Sequence, residues 1–127
     1  MSRAAPISEA ESQVMEVLWR EREAVPAEQV VMALAGAHDW QEATVKTLLN
    51  RLLKKGAVSA RKDGRRYLYS AVLKREQWVT QESKSLLDRL FGGRVAPLVA
   101  HFGSQHKLSK SDLDELTRLI EGMRDGQ

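Results

Sequence analysis

Most hydrophobic positions in this chain recur with helical spacing, and one segment alternates like a strand. The clearest repeat lies in Trp40–Gly56, WQEATVKTLLNRLLKKG. Val45, Leu48, Leu49, Leu52 and Leu53 stand at i, i+3, i+4, i+7 and i+8, the stripe of an amphipathic helix. At about 100° per residue the opposite face holds Ala43, Thr47, Asn50 and Lys54, flanked by Thr44, Lys46 and Arg51, with no acid after Glu42. Gly56 is expected to end the helix as a C-cap glycine, with Lys54 and Lys55 favourably placed in its last turn. Upstream, Ser8-Glu9-Ala10-Glu11 matches a capping box, and Val14, Met15, Leu18 and Trp19 give an apolar face. These predict a first helix over Glu9–Arg20 whose outer face, Glu9, Glu11 and Glu16, is acidic. Val25-Pro26 predicts a second helix with proline at its first position, Val30, Val31 and Leu34 turned inward and Gly36 at its end. Met1–Pro6 is expected as a loose arm.

After Gly56 the period changes. Ala57–Arg61 alternates weakly, Lys62-Asp63-Gly64-Arg65 carries the Asp-Gly turn signal, and Arg66–Val72 has strand composition. Two helices, a brief turn, a third helix with a polar, basic face and then a hairpin outline a helix-turn-helix with a wing. Trp19, Trp40 and Tyr67 read as core or corner anchors. Beyond Leu73, Trp78, Val79, Leu86, Leu87, Leu90 and Phe91 have helical spacing, interrupted by Ser83 and stopped by Gly92-Gly93. Val95, Leu98, Val99 and Phe102 predict a short helix with Pro97 in its first turn. Ser109–Asp112 caps a last helix whose stripe is Leu113, Leu116, Leu119, Ile120 and Met123. Segments so short rarely bury a stable core alone. Leu86, Leu90, Val95, Leu98, Val99, Phe102, Leu113, Leu116, Ile120 and Met123 are therefore assigned to an interface with a second copy. The expected fold is mainly α: a winged helix-turn-helix domain over 1–73, then a three-helix dimerisation domain over 74–127.

Charge sharpens the picture. Residues 43–76 hold ten cations against two anions, whereas residues 1–42 hold three cations against eight anions. The net charge of +3 hides this separation, and a concentrated basic segment points first to nucleic acid. With 127 residues and 43% hydrophobic content the chain suits one small domain, or a domain with an appendage. It has no cysteine, which excludes disulfides and cysteine-ligated zinc. No apolar run approaches the roughly 20 residues of a membrane span, and no signal-peptide core follows Met1, so a cytoplasmic protein is expected. No phosphate-binding glycine loop, nucleophile–histidine constellation or acidic metal cluster is present. His101 and His106 are wrongly spaced to share a helical face toward a metal. Neither catalysis nor a cofactor is expected.

The chain resembles the penicillinase, methicillin-resistance and copper-transport repressors of bacteria (the BlaI/MecI/CopY family). The resemblance is carried by Ile7–Glu11, Val14-Met15, Leu18-Trp19, Thr44–Leu52 and Lys54-Lys55-Gly56, then by Tyr67, Tyr69, Gly92-Gly93, Phe102 and Leu108-Ser109. It implies a homodimer that binds an inverted repeat in double-stranded DNA, with the third helix in the major groove and the wing on the backbone. Thr44, Lys46 and Thr47 match the groove-facing positions. Asn50, Arg51, Arg61, Lys62, Arg65 and Arg66 are placed to touch phosphates, with Lys54 on the same helix face. Lys46 stands where well-known members have arginine, and lysine lacks arginine's bidentate fork. The cysteine-rich tail of copper-responsive members is absent. Antibiotic-responsive members are cut between an asparagine and a phenylalanine after a membrane sensor protease responds; here that pair is His101-Phe102. Two competing readings are a winged-helix regulator of another family with a small-molecule ligand, and a winged-helix module whose basic face binds an acidic protein. Thr44, Thr47 and Asn50 suit base edges better than protein hot spots, which favour aromatics.

Overall fold

The computed structural model describes residues 6–126; apart from Pro6, the expected arm lies outside them. The elements are α1 (Glu9–Arg20), α2 (Ala27–Leu34), α3 (Glu42–Lys54), β1 (Val58–Asp63), β2 (Arg66–Ala71), α4 (Arg75–Leu90), α5 (Val95–Ser104) and α6 (Lys110–Asp125). Among the described residues the one sheet is the antiparallel pair β1-β2. The chain divides into two compact units, the first ending at Val79 and the second beginning at Thr80.

The core of the first unit takes Val14, Met15, Val17 and Leu18 from α1, Val30 and Leu34 from α2, and Val45, Leu48, Leu49 and Leu52 from α3. Val58 and Tyr69 add the hairpin's share. α1 has the expected bounds because its start is built locally. The Glu11 amide donates to Ser8 Oγ at 3.1 Å, and the Ser8 amide donates to Glu11 Oε1 at 2.7 Å. The acidic outer face needs one correction: Glu11 is 1% exposed. A capping-box carboxylate turns back toward the backbone, and here it also meets the Lys55 ammonium at 2.5 Å. Lys55 donates as well to the Pro6 carbonyl at 2.9 Å, so the end of α3 is tied to the start of α1.

α2 begins one residue later than expected. Pro26 is its N-cap in extended conformation, not its first helical residue. The reason is tertiary. Val25 is paired with β2, its amide donating to Tyr69 O at 3.0 Å and its carbonyl accepting from Tyr69 N at 2.8 Å. This bridge holds the backbone extended where a residue before proline already prefers it. Gly36 lies in the turn after α2, where Ala37 and His38 both donate to Leu34 O.

α3 ends in a Schellman motif. Ala57 N bonds Leu52 O at 2.9 Å, Gly56 N bonds Leu53 O at 3.1 Å, and Gly56 has φ +76, a conformation that glycine adopts without a Cβ penalty. The hairpin turn is shifted by one residue from expectation. Lys62 and Asp63 belong to β1, opposite Tyr67 and Arg66. Gly64 and Arg65 form the two-residue loop, with Gly64 at φ +67 in the first central position, as a type II′ turn requires.

Trp19 is the corner anchor expected, its indole N–H donating to Leu73 O at 2.7 Å. Its ring lies 5.4 Å from that of Trp78. Arg75 binds Glu16 of α1 through two nitrogens at 3.0 and 3.3 Å. These contacts attach the first turn of α4 to the first unit, which carries that unit past the Leu73 boundary expected from sequence. Trp40 is half-buried against the core. Tyr67 is 52% exposed and is not an anchor. It shares a strand face with Tyr69 but lies nearer the hairpin tip; Tyr69, 7% exposed at the Val25 bridge, fills that role.

In the second unit, α5 keeps Pro97 in its first turn, where the missing N–H has no helical partner to lose. α6 opens with a second capping box, Ser109 with Asp112. No residue of α4, α5 or α6 is buried in the single chain, and the three helices pack little on one another.

The Glu11–Lys55 pair yields a stability prediction. Burial alone would raise the Glu11 carboxyl, but hydrogen bonds from Lys55 and the Ser8 amide outweigh it and hold the group below its ordinary value. A carboxyl depressed in the folded state adds stability above its unfolded pKa, and that stability disappears as pH falls through the folded pKa. Glu11→Gln should cost about 2 kcal/mol at pH 7, because it leaves the Lys55 charge without its partner. It should also flatten the acid limb of stability against pH in denaturant titrations. An unchanged acid limb would remove the pair from the stability account.

Candidate nucleic-acid interface

The interface is built on α3. Its apolar stripe Val45, Leu48, Leu49 and Leu52 is buried, so Ala43, Thr44, Lys46, Thr47, Asn50, Arg51 and Lys54 are all exposed on the remaining faces. Thr47 Oγ1 donates to Ala43 O at 3.0 Å, which uses the hydroxyl proton and leaves the oxygen able to accept. Lys46 Nζ lies 3.0 Å from Glu42 Oε2 one turn earlier. The Glu42 hydrogen bond, then its charge, raises the Lys46 pKa above the ordinary lysine value.

The hairpin follows α3 directly, and β1 packs beside it. Arg61 stands opposite Leu68 and Lys62 opposite Tyr67, both exposed, with Arg65 in the turn. Arg66 differs from these three. Its guanidinium reaches Glu28 of α2 at 3.3 Å and Asp63 at 3.9 Å. Of the ten cations in residues 43–76, Lys46, Lys55, Arg66 and Arg75 are paired with carboxylates. Arg51, Lys54, Arg61, Lys62, Arg65 and Lys74 make no ion pair among the described residues. Five of these six lie on α3 and the hairpin, where a phosphate backbone would satisfy them. Glu28 is a residue that sequence reasoning missed, since only the fold brings it to Arg66. The Glu42–Lys46 pair was open to detection from its i,i+4 spacing.

The residues assigned to a second-copy interface sit on α4, α5 and α6. Leu86, Leu90, Val95, Phe102, Leu113, Ile120 and Met123 are 37–63% exposed in the single chain, and Leu98, Val99 and Leu116 are half-buried. His101-Phe102 lies inside α5, with both side chains exposed. Among the described residues no group of three or more His, Asp or Glu is placed to hold a metal ion, and no helix is long and apolar enough to cross a membrane. An open hollow of about 410 Å³ in the first unit is bordered by Trp19, Glu21, Arg22, Glu23, Leu73 and Arg75 among others; none of its lining residues is on α3.

A three-helix core that displays a polar, basic third helix beside a basic hairpin defines a winged helix-turn-helix protein. This chain belongs to the penicillinase repressor family, whose model matches residues 7–122. It is 31% identical over 121 residues to the penicillinase repressor of Bacillus licheniformis, covering 95% of this chain and 94% of that protein. It is 28% identical over 114 residues to the methicillin resistance regulatory protein MecI of Staphylococcus aureus (strain N315), covering 90% and 92%. Among solved structures it is similar to the DNA binding domain of the repressor BlaI, with 32% identity and a TM-score of 0.53 over 61% of this chain and 93% of that one. A Bacillus licheniformis BlaI monomeric form in complex with the blaP half-operator gives 32% identity and a TM-score of 0.50 over the same shares.

The pairing pattern separates the wing cations by their free charge. Arg65→Ala should reduce the slope of log affinity against log salt on random duplex DNA by about one unit. Arg66→Ala should reduce it less, because Glu28 and Asp63 already hold that guanidinium. Anisotropy titrations across a salt series measure both, and equal changes would mean that Arg66 abandons Glu28 on binding.

Proposed function

We propose that this chain is a cytoplasmic, sequence-specific transcriptional repressor that binds an inverted-repeat operator as a homodimer. The observation that carries the reading is the outer face of α3, where Thr44, Lys46, Thr47, Asn50, Arg51 and Lys54 are exposed together beside a hairpin whose Arg61, Lys62 and Arg65 make no ion pair among the described residues. α3 enters the major groove, with Thr44, Lys46 and Thr47 at base edges. Asn50, Arg51, Lys54, Arg61, Lys62 and Arg65 take phosphates, and Arg66 joins them where Glu28 releases it. The membership of the chain in a family of repressors supports this assignment, and a half-operator bound by a monomeric form of a relative fits one winged unit per half-site. The division of labour is a DNA-binding domain and a helical dimerisation domain, with no catalytic step and no cofactor.

Dimerisation is part of the reading for two reasons. One recognition helix reads only a few base pairs, too few to outcompete random sites. Two linked copies engage half-sites about one helical turn apart, and the second engagement becomes intramolecular. The apolar side chains of α4–α6, none buried in the single chain, supply the surface that a second copy would cover. Release by a membrane sensor protease at His101-Phe102 would act on a locally opened α5, since the bond lies within the helix.

Two variants test the reading once the operator has been selected from host DNA. Thr47→Ala should lose on the order of 1–3 kcal/mol on the operator and far less on random duplex; equal losses on both would refute direct readout. Ile120→Asp should cost the isolated chain little, because Ile120 is 52% exposed there, but it places an unpaired charge in the proposed interface. That variant should sediment as a monomer, keep the winged unit folded and retain only weak, salt-sensitive DNA binding. A dimer that persists with full operator affinity would assign α6 another task.

A further inference from the structure

Glu42 is an unexpected residue for this interface. It is the first residue of α3, its side chain is about half exposed, and it brings a carboxylate to a face otherwise suited to phosphates and base edges. Glutamate N-terminal to lysine at i,i+4 is the favoured order for a helical ion pair, and a carboxylate also suits a helix N-terminus. The pair is therefore assembled before any DNA is met. Because the two charges cancel, it adds little to phosphate-driven affinity, which scales with unneutralised cations. What it offers a duplex is an acceptor beside a donor.

We propose that Glu42 and Lys46 act as one specificity-determining unit that selects a C·G base pair in each half-site. Glu42 accepts from the cytosine N4 amino group, and Lys46 donates to guanine O6 and N7. The inference rests on the reading that α3 lies in the major groove, where the N-terminal residues of a recognition helix meet the base edges. Within a C·G pair the N4 donor and the O6 acceptor are hydrogen-bonded to each other, about 2.9 Å apart. Glu42 Oε2 and Lys46 Nζ stand 3.0 Å apart with the opposite polarity, acceptor toward donor and donor toward acceptor. An A·T pair also offers an amino group, but its two acceptors lie on opposite sides of it and the thymine methyl crowds O4. There the ammonium meets one acceptor instead of two adjacent ones.

The test is selection of duplexes from a randomised library by the full chain, in parallel with E42A, E42Q, K46A and T47A. Circular dichroism confirms that each is folded, as the exposure of these side chains leads one to expect. The unsubstituted chain should select a C·G pair at one position of each half-site. E42A should lose that preference about tenfold while the other positions persist. E42Q should redirect it toward A·T, because glutamine pairs with adenine N6 and N7. If E42A selects the same consensus and merely binds every duplex more tightly, with a salt slope steeper by about one, then Glu42 only neutralises Lys46 and the proposal falls. In that case a changed consensus for K46A or T47A leaves the groove reading standing. A consensus unchanged in all four variants overturns both.

Discussion

The rotation of α3 about its own axis is the constraint on which the rest of this molecule depends. Val45, Leu49 and Leu52 have no exposed surface, and Leu48 is 5% exposed. Burying side chains of this kind stabilises by about 1.5–3 kcal/mol each. Turning the helix by one residue would swing its face through about 100° and expose this stripe. With that rotation set, the position of every outer side chain follows, including the Glu42–Lys46 pair. The Schellman end then directs the chain into β1, and the Val25–Tyr69 bridge holds β2 against the link between α1 and α2. The hairpin is thus anchored from two sides at its base, and its tip stays outside the core.

Electrostatics divides the basic segment into two working groups. Lys55 and Arg75 are structural cations, one joining α3 to α1 and the other joining α4 to α1. Arg51, Lys54, Arg61, Lys62 and Arg65 carry charge that no carboxylate among the described residues offsets. Lys46 and Arg66 stand between, each held by an acid within reach of the same surface. A charge count along the sequence treats all of these alike. The paired ones tune geometry, and the unpaired ones supply long-range attraction.

Features encoded over a few residues were legible in the sequence. α1 starts and ends where its capping box and apolar face predict, Gly56 closes α3, and Ser109 opens α6. The differences arise where distant residues decide. Val25 pairs with a strand more than forty positions away, which makes Pro26 a cap instead of a first helical residue. Tyr67 and Tyr69 have the same chemistry and share a strand face, but only Tyr69 lies where the core reaches. Glu11 reads as a surface acid until α3 brings Lys55 to it. In the outer face of α3, the exposure of each candidate residue followed from periodicity. The partners of those residues did not, apart from the local Glu42–Lys46 spacing.

The placement of the tryptophans has a spectroscopic consequence. The chain contains three, at positions 19, 40 and 78, and all lie in the first unit. Trp19 and Trp78 are close enough to exchange excitation, and Trp40 is stacked on His38 with ring centroids 4.3 Å apart. Indole fluorescence therefore watches the winged unit alone. The second unit, which has no tryptophan, is optically silent at those wavelengths. Emission set beside far-ultraviolet dichroism separates the melting of the two units without any introduced dye.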